Sequence, residues 1–214
     1  MALSHRFDEA LVLAAALHRD QLRKGSQIPY LAHLLGVAAI ALEHGASEDQ
    51  AVAALLHDAV EDQGGLPTLA VIRNRFGDAV AEIVKSCSDA DTIPKPPWRA
   101  RKEAYVAQLA EAPEAAWLVS AADKLHNARA ILADYRQIGE PVWGRFTGGK
   151  QGTLWYYQAL VEALLGRVPA GLHQELARVV GELVGLAEAA PGPPAGAHDR
   201  PGAGGGISRG PSIS

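Results

Sequence analysis

Apolar residues recur at spacings of three and four along most of this 214-residue chain. No segment alternates apolar and polar residues over several positions, as a half-buried strand would. The pattern therefore predicts an all-α fold, a compact single-domain helical bundle. The predicted helices span residues 7–24, 34–43, 48–60, 68–76, 79–86, 98–110, 113–132, 153–165 and 170–189.

Turn and capping residues separate these helices. Gly45 can end one helix, and Ser47 with Gln50 has the capping-box spacing that opens the next, so the two form a helical hairpin. Clustered prolines predict a surface loop at 89–97, and paired glycines predict another at 144–152.

The composition changes near the C-terminus. From Pro191 onward Gly, Pro, Ala and Ser dominate, and bulky apolar residues nearly vanish. Such a segment cannot bury enough surface to offset its ordering entropy, so we expect disorder there. We predict one folded domain at 1–190 and a disordered tail at 191–214.

Charge and cysteine content exclude several classes of protein. The formal charge of −4 argues against broad nucleic-acid binding, which depends on excess Lys and Arg. The single Cys87 cannot form an internal disulfide, which fits a cytoplasmic protein. The apolar stretch at 10–17 is too short to span a bilayer, so we expect no membrane association. The sequence leaves the oligomeric state open, a homo-oligomer included.

The segment AVAALLHDAVED, at 51–62, places four polar residues in a strongly apolar helix: His57, Asp58, Glu61 and Asp62. Residues four apart share a helix face, so the first two lie over the last two. Buried carboxylates need a cationic partner because an unpaired buried charge is very costly, and a metal ion is such a partner. The alternative is a helix end that reaches solvent and leaves the acids exposed.

A second histidine, His33, lies on the other side of the predicted turn near Gly45. It is about twelve residues before the turn and His57 about eleven after it, so at a rise of ~1.5 Å per residue both are at similar height. Antiparallel packing then brings the two imidazoles together. Two imidazoles with an adjacent carboxylate suit manganese, iron or zinc better than calcium.

Asp123 interrupts another apolar helix, and Asn127 follows it by one turn on the same face. This carboxylate can complete the ligand set. The alternative is a salt bridge to Lys124 or Arg129.

The order of His33, the pair His57-Asp58, and Asp123 resembles the H…HD…D signature of HD-domain metal-dependent phosphohydrolases. Members of that family are helical and bind a metal with these four residues. The resemblance implies an HD-type helical bundle with a divalent metal site in this chain.

Further motifs resemble the hydrolase domain of RelA/SpoT homologues and the stand-alone small alarmone hydrolases. They are the pair Arg23-Lys24, the string YLAH ending at His33, LLHDAVED and ADKLHNAR, and the likeness covers about 7–166. Those enzymes remove the 3′-pyrophosphate from nucleotides such as (p)ppGpp, generally with Mn²⁺. The resemblance implies that this chain is such an enzyme.

The resemblance also implies roles for individual residues. Glu61 and Asp62 are the implied catalytic pair, which orients or deprotonates water or protonates the leaving ribose oxygen. Arg23 and Lys24 flank the base, Asn127 holds the ribose, and Tyr157 lines the nucleotide pocket. The resemblance thus implies four substrate contacts.

Some positions depart from the family pattern and leave alternatives open. Gln63 follows the acidic pair where the family often has Thr, and the segment GGKQGTLWYY is not typical of the long synthetase-hydrolases. The choice between (p)ppGpp and (p)ppApp therefore stays open. The alternatives are an HD nucleotidase acting on deoxynucleotides or NADPH, and a non-catalytic nucleotide sensor.

Other polar residues are not assigned to the site. Trp98, Arg101 and Lys102 belong to a basic cluster that suits a polyphosphate and an ordinary exposed helix start equally well. The remaining histidines, His126 among them, are interpreted as surface or packed residues.

Overall fold

The computed structural model describes residues 2–88 and 96–189. Over these ranges the regular elements are helices, together with one isolated antiparallel bridge between Leu22 and Pro29. The all-α prediction is therefore confirmed. The elements are α1 (His5–Leu17), α2 (Leu31–Glu43), α3 (Glu48–Leu56), α4 (Ala59–Asp62), α5 (Leu66–Phe76), α6 (Asp78–Cys87), α7 (Trp98–Glu111), α8 (Glu114–Ile138), a 3₁₀ helix (Glu140–Arg145), α9 (Gly149–Ala163) and α10 (Ala170–Ala189).

Helix α8 is the centre of the bundle and packs against α2, α3, α6 and α10. It begins directly after Pro113 and ends before Gly139, whose φ of +65° favours glycine. Its fully buried face is rich in alanine, as at Ala121 and Ala122. Small side chains let neighbouring helices approach closely, so polar groups from α2, α3 and α8 can meet in the interior.

The predicted hairpin of α2 and α3 is confirmed. Gly45 has a φ of +86° just after α2, and the Ser47 hydroxyl accepts from the backbone N–H of Gln50. The Gln50 side chain accepts in return from the Ser47 backbone, at 2.8 Å, which completes the capping box. This turn fixes the register that places His33 of α2 opposite the end of α3.

Two predicted helices are shorter than expected. The helix predicted at 7–24 ends at Leu17, because the following backbone turns back on itself: Tyr30 N–H donates to the Gln21 carbonyl at 2.8 Å. The helix predicted at 48–60 is interrupted after Leu56, and α4 resumes at Ala59. The backbone N–H of Asp62 still donates to the Asp58 carbonyl at 2.9 Å, so helical spacing holds across the acidic segment.

The loop predicted at 144–152 is wrong in its extent, because only residues 146–148 lie outside helices. A 3₁₀ helix reaches Arg145, and α9 already begins at Gly149. Helix α8 also continues six residues beyond its predicted end at 132. The predicted tail at 191–214 and most of the predicted loop at 89–97 lie outside the described residues.

Among the helices of the described ranges, none has the length and apolar character needed to cross a membrane. The cytoplasmic location stays a prediction.

Candidate metal centre and adjoining cavity

Side chains from three helices converge on one buried point. His33 comes from α2, His57 and Asp58 from the end of α3, and Asp123 from α8. The Nε2 atom of His57 lies 3.0 Å from Oδ2 of Asp58, and that of His33 lies 3.2 Å from Oδ1 of Asp123. The imidazole centroids are 5.2 Å apart, which confirms the predicted approach of the two rings. The structure thus brings together all four residues that the sequence predicts as metal ligands.

The two imidazoles offer the donor atoms that a metal ion requires. Both Nε2 atoms are buried and lie 3.0 to 3.6 Å from oxygens of Asp58 and Asp123, but within the described part of the chain none of these contacts has the geometry of a hydrogen bond. Their Nδ1 atoms are both engaged, in His57 with the Ala54 carbonyl and in His33 with Nδ1 of His126, each at 2.9 Å. Such contacts fix the ring orientation of metal-ligating histidines. Two buried imidazole nitrogens that make no hydrogen bond and face two carboxylates fit a divalent cation.

Electrostatics hold both carboxylates in the charged form. Burial alone would raise the pKa of Asp123, but the Lys124 ammonium and the two imidazoles keep it well below its usual value. The pKa of Asp58 is likewise low, because neighbouring His57 and His33 outweigh the burial. The centre therefore offers two charged oxygens at neutral pH, and oxygen ligands carry no proton that a metal must displace.

Asp123 makes the salt bridge to Lys124 that the sequence offers as an alternative, and it also faces the two imidazoles. Its Oδ2 accepts from Nζ of Lys124 at 2.5 Å, while Oδ1 faces the imidazoles and accepts from Nδ2 of Asn127, also at 2.5 Å. Oδ1 of Asn127 then accepts from Arg23 at 2.8 Å. A continuous chain of hydrogen bonds therefore links two of the predicted substrate residues, Arg23 and Asn127, to a candidate metal ligand.

The acidic pair lies at the edge of this centre. Glu61 lines the adjoining cavity, whereas Asp62 is exposed and accepts from Nε2 of Gln21 at 2.8 Å. Gln21 in turn accepts from Gln63 at 2.6 Å. The interpretation of the acids as exposed therefore applies to Asp62 alone. Gln63, which departs from the family pattern, holds Gln21 in position and through it orients the Asp62 side chain.

A cavity of about 560 Å³ adjoins the metal centre. Arg23, Lys24, Asn127 and Tyr157, the predicted substrate contacts, all line it. Arg23 and Asn127 are partly buried, Lys24 is exposed, and Tyr157 is buried. Burial raises the pKa of the Tyr157 phenol, so this side chain stays a neutral hydrogen-bonding group. The cavity lies among several helices and beside a polar cluster, as ligand sites usually do.

The cavity is also lined by residues that the sequence does not assign to the site. Trp98, Arg101 and Lys102 of α7 form part of its wall. The Trp98 indole packs on Gly148 and Gly152, where an added Cβ would lie 2.5 and 3.0 Å from the ring. The two glycines are the sequence signal for this contact, but the partner of a glycine cannot be identified from the sequence alone.

The fold and the site together define an all-helical protein with a buried centre of two histidines and two aspartates. Residues 10–153 match the model of a family described as HD domain. The chain belongs to the HD domain family, and its compact bundle is of the HD-domain type.

Similar proteins include guanosine-3′,5′-bis(diphosphate) 3′-pyrophosphohydrolase MESH1 of Xenopus tropicalis, 41% identical over 126 residues, which are 58% of this chain and 68% of that protein. The bifunctional (p)ppGpp synthase/hydrolase SpoT of Escherichia coli is 32% identical over 132 residues, 59% of this chain and 18% of SpoT. A solved structure described as a metazoan ortholog of SpoT that hydrolyzes ppGpp superposes with a TM-score of 0.70 at 26% identity, covering 86% of this chain and 98% of that one.

Proposed function

We propose that this protein is a metal-dependent 3′-pyrophosphohydrolase of hyperphosphorylated nucleotides, (p)ppGpp or (p)ppApp. The observation that carries the proposal is the pair of buried Nε2 atoms of His33 and His57, which face two carboxylates. A cationic cavity lies beside them, because its lining residues Tyr30, Lys124 and Asn127 contact those carboxylates. The names of the similar proteins, MESH1 and SpoT, support the same activity.

The proposed metal ligands are His33, His57, Asp58 and Asp123, and the proposed ion is Mn²⁺. Two nitrogen and two carboxylate donors suit manganese and its neighbours among the transition metals. When bound, such an ion lowers the pKa of a water molecule toward neutrality and offsets phosphate charge.

The charges that line the cavity support a polyphosphate substrate. Its cationic side chains are Arg23, Lys24, Arg101, Lys102, Lys124 and Arg145. The carboxylates in the lining are those of Glu61 and Asp134, and Asp134 is already paired with Arg145 at 2.6 Å. Lys124 is nearly buried beside Asp123, which raises its pKa well above the ordinary value and keeps the ammonium charged. Fixed positive charge in a recess favours an anion with several phosphate groups.

The proposed reaction is the hydrolysis of one phosphate ester bond, and each site residue has a role in it. The water oxygen bonds to the phosphorus that carries the ribose 3′ oxygen, the bond from that phosphorus to the 3′ oxygen breaks, and this oxygen takes up a proton. Pyrophosphate and a nucleoside 5′-diphosphate or 5′-triphosphate with a free 3′ hydroxyl are the products. In this proposal Glu61, which lines the cavity, and Asp62, which accepts from Gln21, accept the proton of water or supply one to the 3′ oxygen. Arg23 and Lys24 flank the base, and Asn127 contacts the ribose.

A substrate panel tests the proposal. Purified protein is incubated with Mn²⁺ and, separately, ppGpp, ppApp, NADPH and deoxynucleoside triphosphates, and products are separated by ion-exchange chromatography. The proposal expects pyrophosphate and a nucleoside 5′-diphosphate from one or both alarmones. Turnover confined to NADPH or deoxynucleotides would establish the nucleotidase alternative instead. Binding without any turnover would establish a sensor.

A further inference from the structure

His126 contacts a candidate metal ligand directly. Its Nδ1 atom lies 2.9 Å from Nδ1 of His33, and the ring centroids are 4.8 Å apart. His33 is 1% exposed, so its ring orientation is set by protein contacts alone. His126 is on α8, one turn from Asp123, whereas His33 is on α2. The contact therefore couples the two helices at the metal centre.

Gly36 makes room for this histidine. It lies inside α2 without a positive φ, so no turn requires it, and glycine in a helix interior is destabilising relative to alanine. A Cβ built at Gly36 would lie 2.3 Å from both Cδ2 and Nε2 of the His126 ring. Any larger residue would displace that ring from its position beside His33.

The direction of the hydrogen bond follows from the role of His33. A neutral imidazole that gives its Nε2 lone pair to a cation carries its proton on Nδ1. The His33 Nδ1–H group then donates, and Nδ1 of His126 accepts. The proton of a neutral His126 is consequently on its own Nε2.

We infer that His126 is a positioning residue, which holds His33 in the tautomer and orientation needed for metal binding, and that Gly36 is present to admit it. The inference rests on the proposed metal site. His126 is not among the residues that line the cavity, and it acts only through His33, as outer-shell partners of metal-bound histidines do.

The first test compares two substitutions of His126. His126→Phe keeps an aromatic ring but removes the acceptor, whereas His126→Asn retains an acceptor oxygen at the same number of bonds from Cα. We expect the Kd for Mn²⁺, measured by calorimetry, to rise about 10- to 100-fold in the Phe variant and to be largely restored in the Asn variant. The melting temperature of the metal-free protein is recorded for each. Unchanged Mn²⁺ affinity in the Phe variant would overturn the inference.

Gly36→Ala provides a second test that leaves His126 in place. Its matched control is Gly185→Ala in α10, where an added Cβ meets nothing within 4 Å. Both substitutions replace glycine by alanine, which has the higher helix propensity, but only Gly36→Ala displaces the His126 ring. We therefore expect weaker Mn²⁺ binding in the first variant alone. In a His126→Ala background, which has no ring to displace, Gly36→Ala should leave the Kd unchanged. A further loss there would mean that Gly36 acts by another route.

Nitrogen NMR of the zinc-loaded protein reads the tautomer directly, since Zn²⁺ is diamagnetic. We expect the His33 proton on Nδ1 in the unmodified protein, and a proton on Nε2 would contradict the inference. Failure of the proposed function is distinguishable from failure of this inference. If the unmodified protein binds no divalent metal, the proposed site is wrong. If it binds Mn²⁺ and the Phe variant binds equally well, only the role of His126 is wrong.

Discussion

The hydroxyl group of Tyr30 donates a hydrogen bond of 2.5 Å to Oδ2 of Asp58, the carboxylate oxygen that faces both imidazoles. The Tyr30 ring stacks on His18 at 5.3 Å, and the Arg23 guanidinium lies 5.9 Å from its centroid. The Tyr30 side chain therefore connects the metal centre with the loop that carries Arg23, a proposed substrate contact.

Replacing Tyr30 by Phe should weaken metal binding without disturbing this packing. The change keeps the ring between its neighbours and removes only the donor to Asp58. A ligand carboxylate that loses its orienting partner binds metal less well, so we expect a Kd for Mn²⁺ about 10- to 100-fold higher by calorimetry. Equal affinity in the two proteins would show that Asp58 needs no such orientation.

Removing a proposed ligand should abolish metal binding and turnover together. His57→Ala and Asp123→Ala each delete a donor atom, whereas His5→Ala, at an exposed position, serves as the control. Elemental analysis after dialysis should find stoichiometric metal in the control and little in the other two. Stoichiometric metal in both ligand variants would reject the assigned site.

Metal affinity should increase with pH. Burial lowers the pKa of His57, but Asp58 and Asp123 outweigh it and raise the pKa well above the ordinary 6.5. Without metal the imidazole is thus protonated at neutral pH, and it must lose that proton to become a ligand. Below the raised pKa, affinity should rise by about tenfold per pH unit for one displaced proton. Calorimetry in two buffers of different ionisation enthalpy counts the proton, and an affinity independent of pH would contradict this prediction.

Thr153 should contribute to nucleotide binding. Its hydroxyl is buried on the cavity wall and has no hydrogen-bond partner among the described residues. Such a group is costly until a ligand pairs with it, so the isosteric Thr153→Val should raise the melting temperature and raise KM about 5- to 10-fold. Steady-state kinetics and thermal unfolding measure the two effects. A KM equal to that of the unmodified protein would mean that the hydroxyl does not meet the substrate.

The sequence was sufficient to predict the fold class and the four proposed ligands because their signals are local. Charged residues in an apolar helix need a partner of opposite charge. The capped turn between α2 and α3 places His33 and His57 at the same level along the two helices. The sequence does not predict the break in the helix at His57-Asp58, because the apolar pattern of the segment continues to Val60. Propensity favours an unbroken helix there, and tertiary contacts decide otherwise.

The cavity wall and the support of His33 depend on contacts between distant segments. Trp98 meets Gly148 and Gly152 some fifty residues later in the chain, and His126 fills the space left by Gly36. A glycine in a helix indicates that something approaches closely but does not identify it. For this reason the sequence alone does not place Trp98 and His126 in the predicted site.

The acidic pair separates a hydrolase from a metal-containing binding protein. Glu61→Gln with Asp62→Asn preserves size but removes charge and proton-transfer ability, and the amide oxygen introduced at 62 can still accept from Gln21. We expect the double variant to retain Mn²⁺ and nucleotide binding by calorimetry, and to lose turnover by about 10² to 10⁴-fold. Both measurements use one preparation. Gln63→Ala is the matched control, because it removes the hydrogen bond to Gln21 but leaves both carboxylates in place. That control should lose far less activity than the double variant. Undiminished hydrolysis in the double variant would reject the catalytic assignment, whereas loss of bound metal would place one of these carboxylates among the ligands.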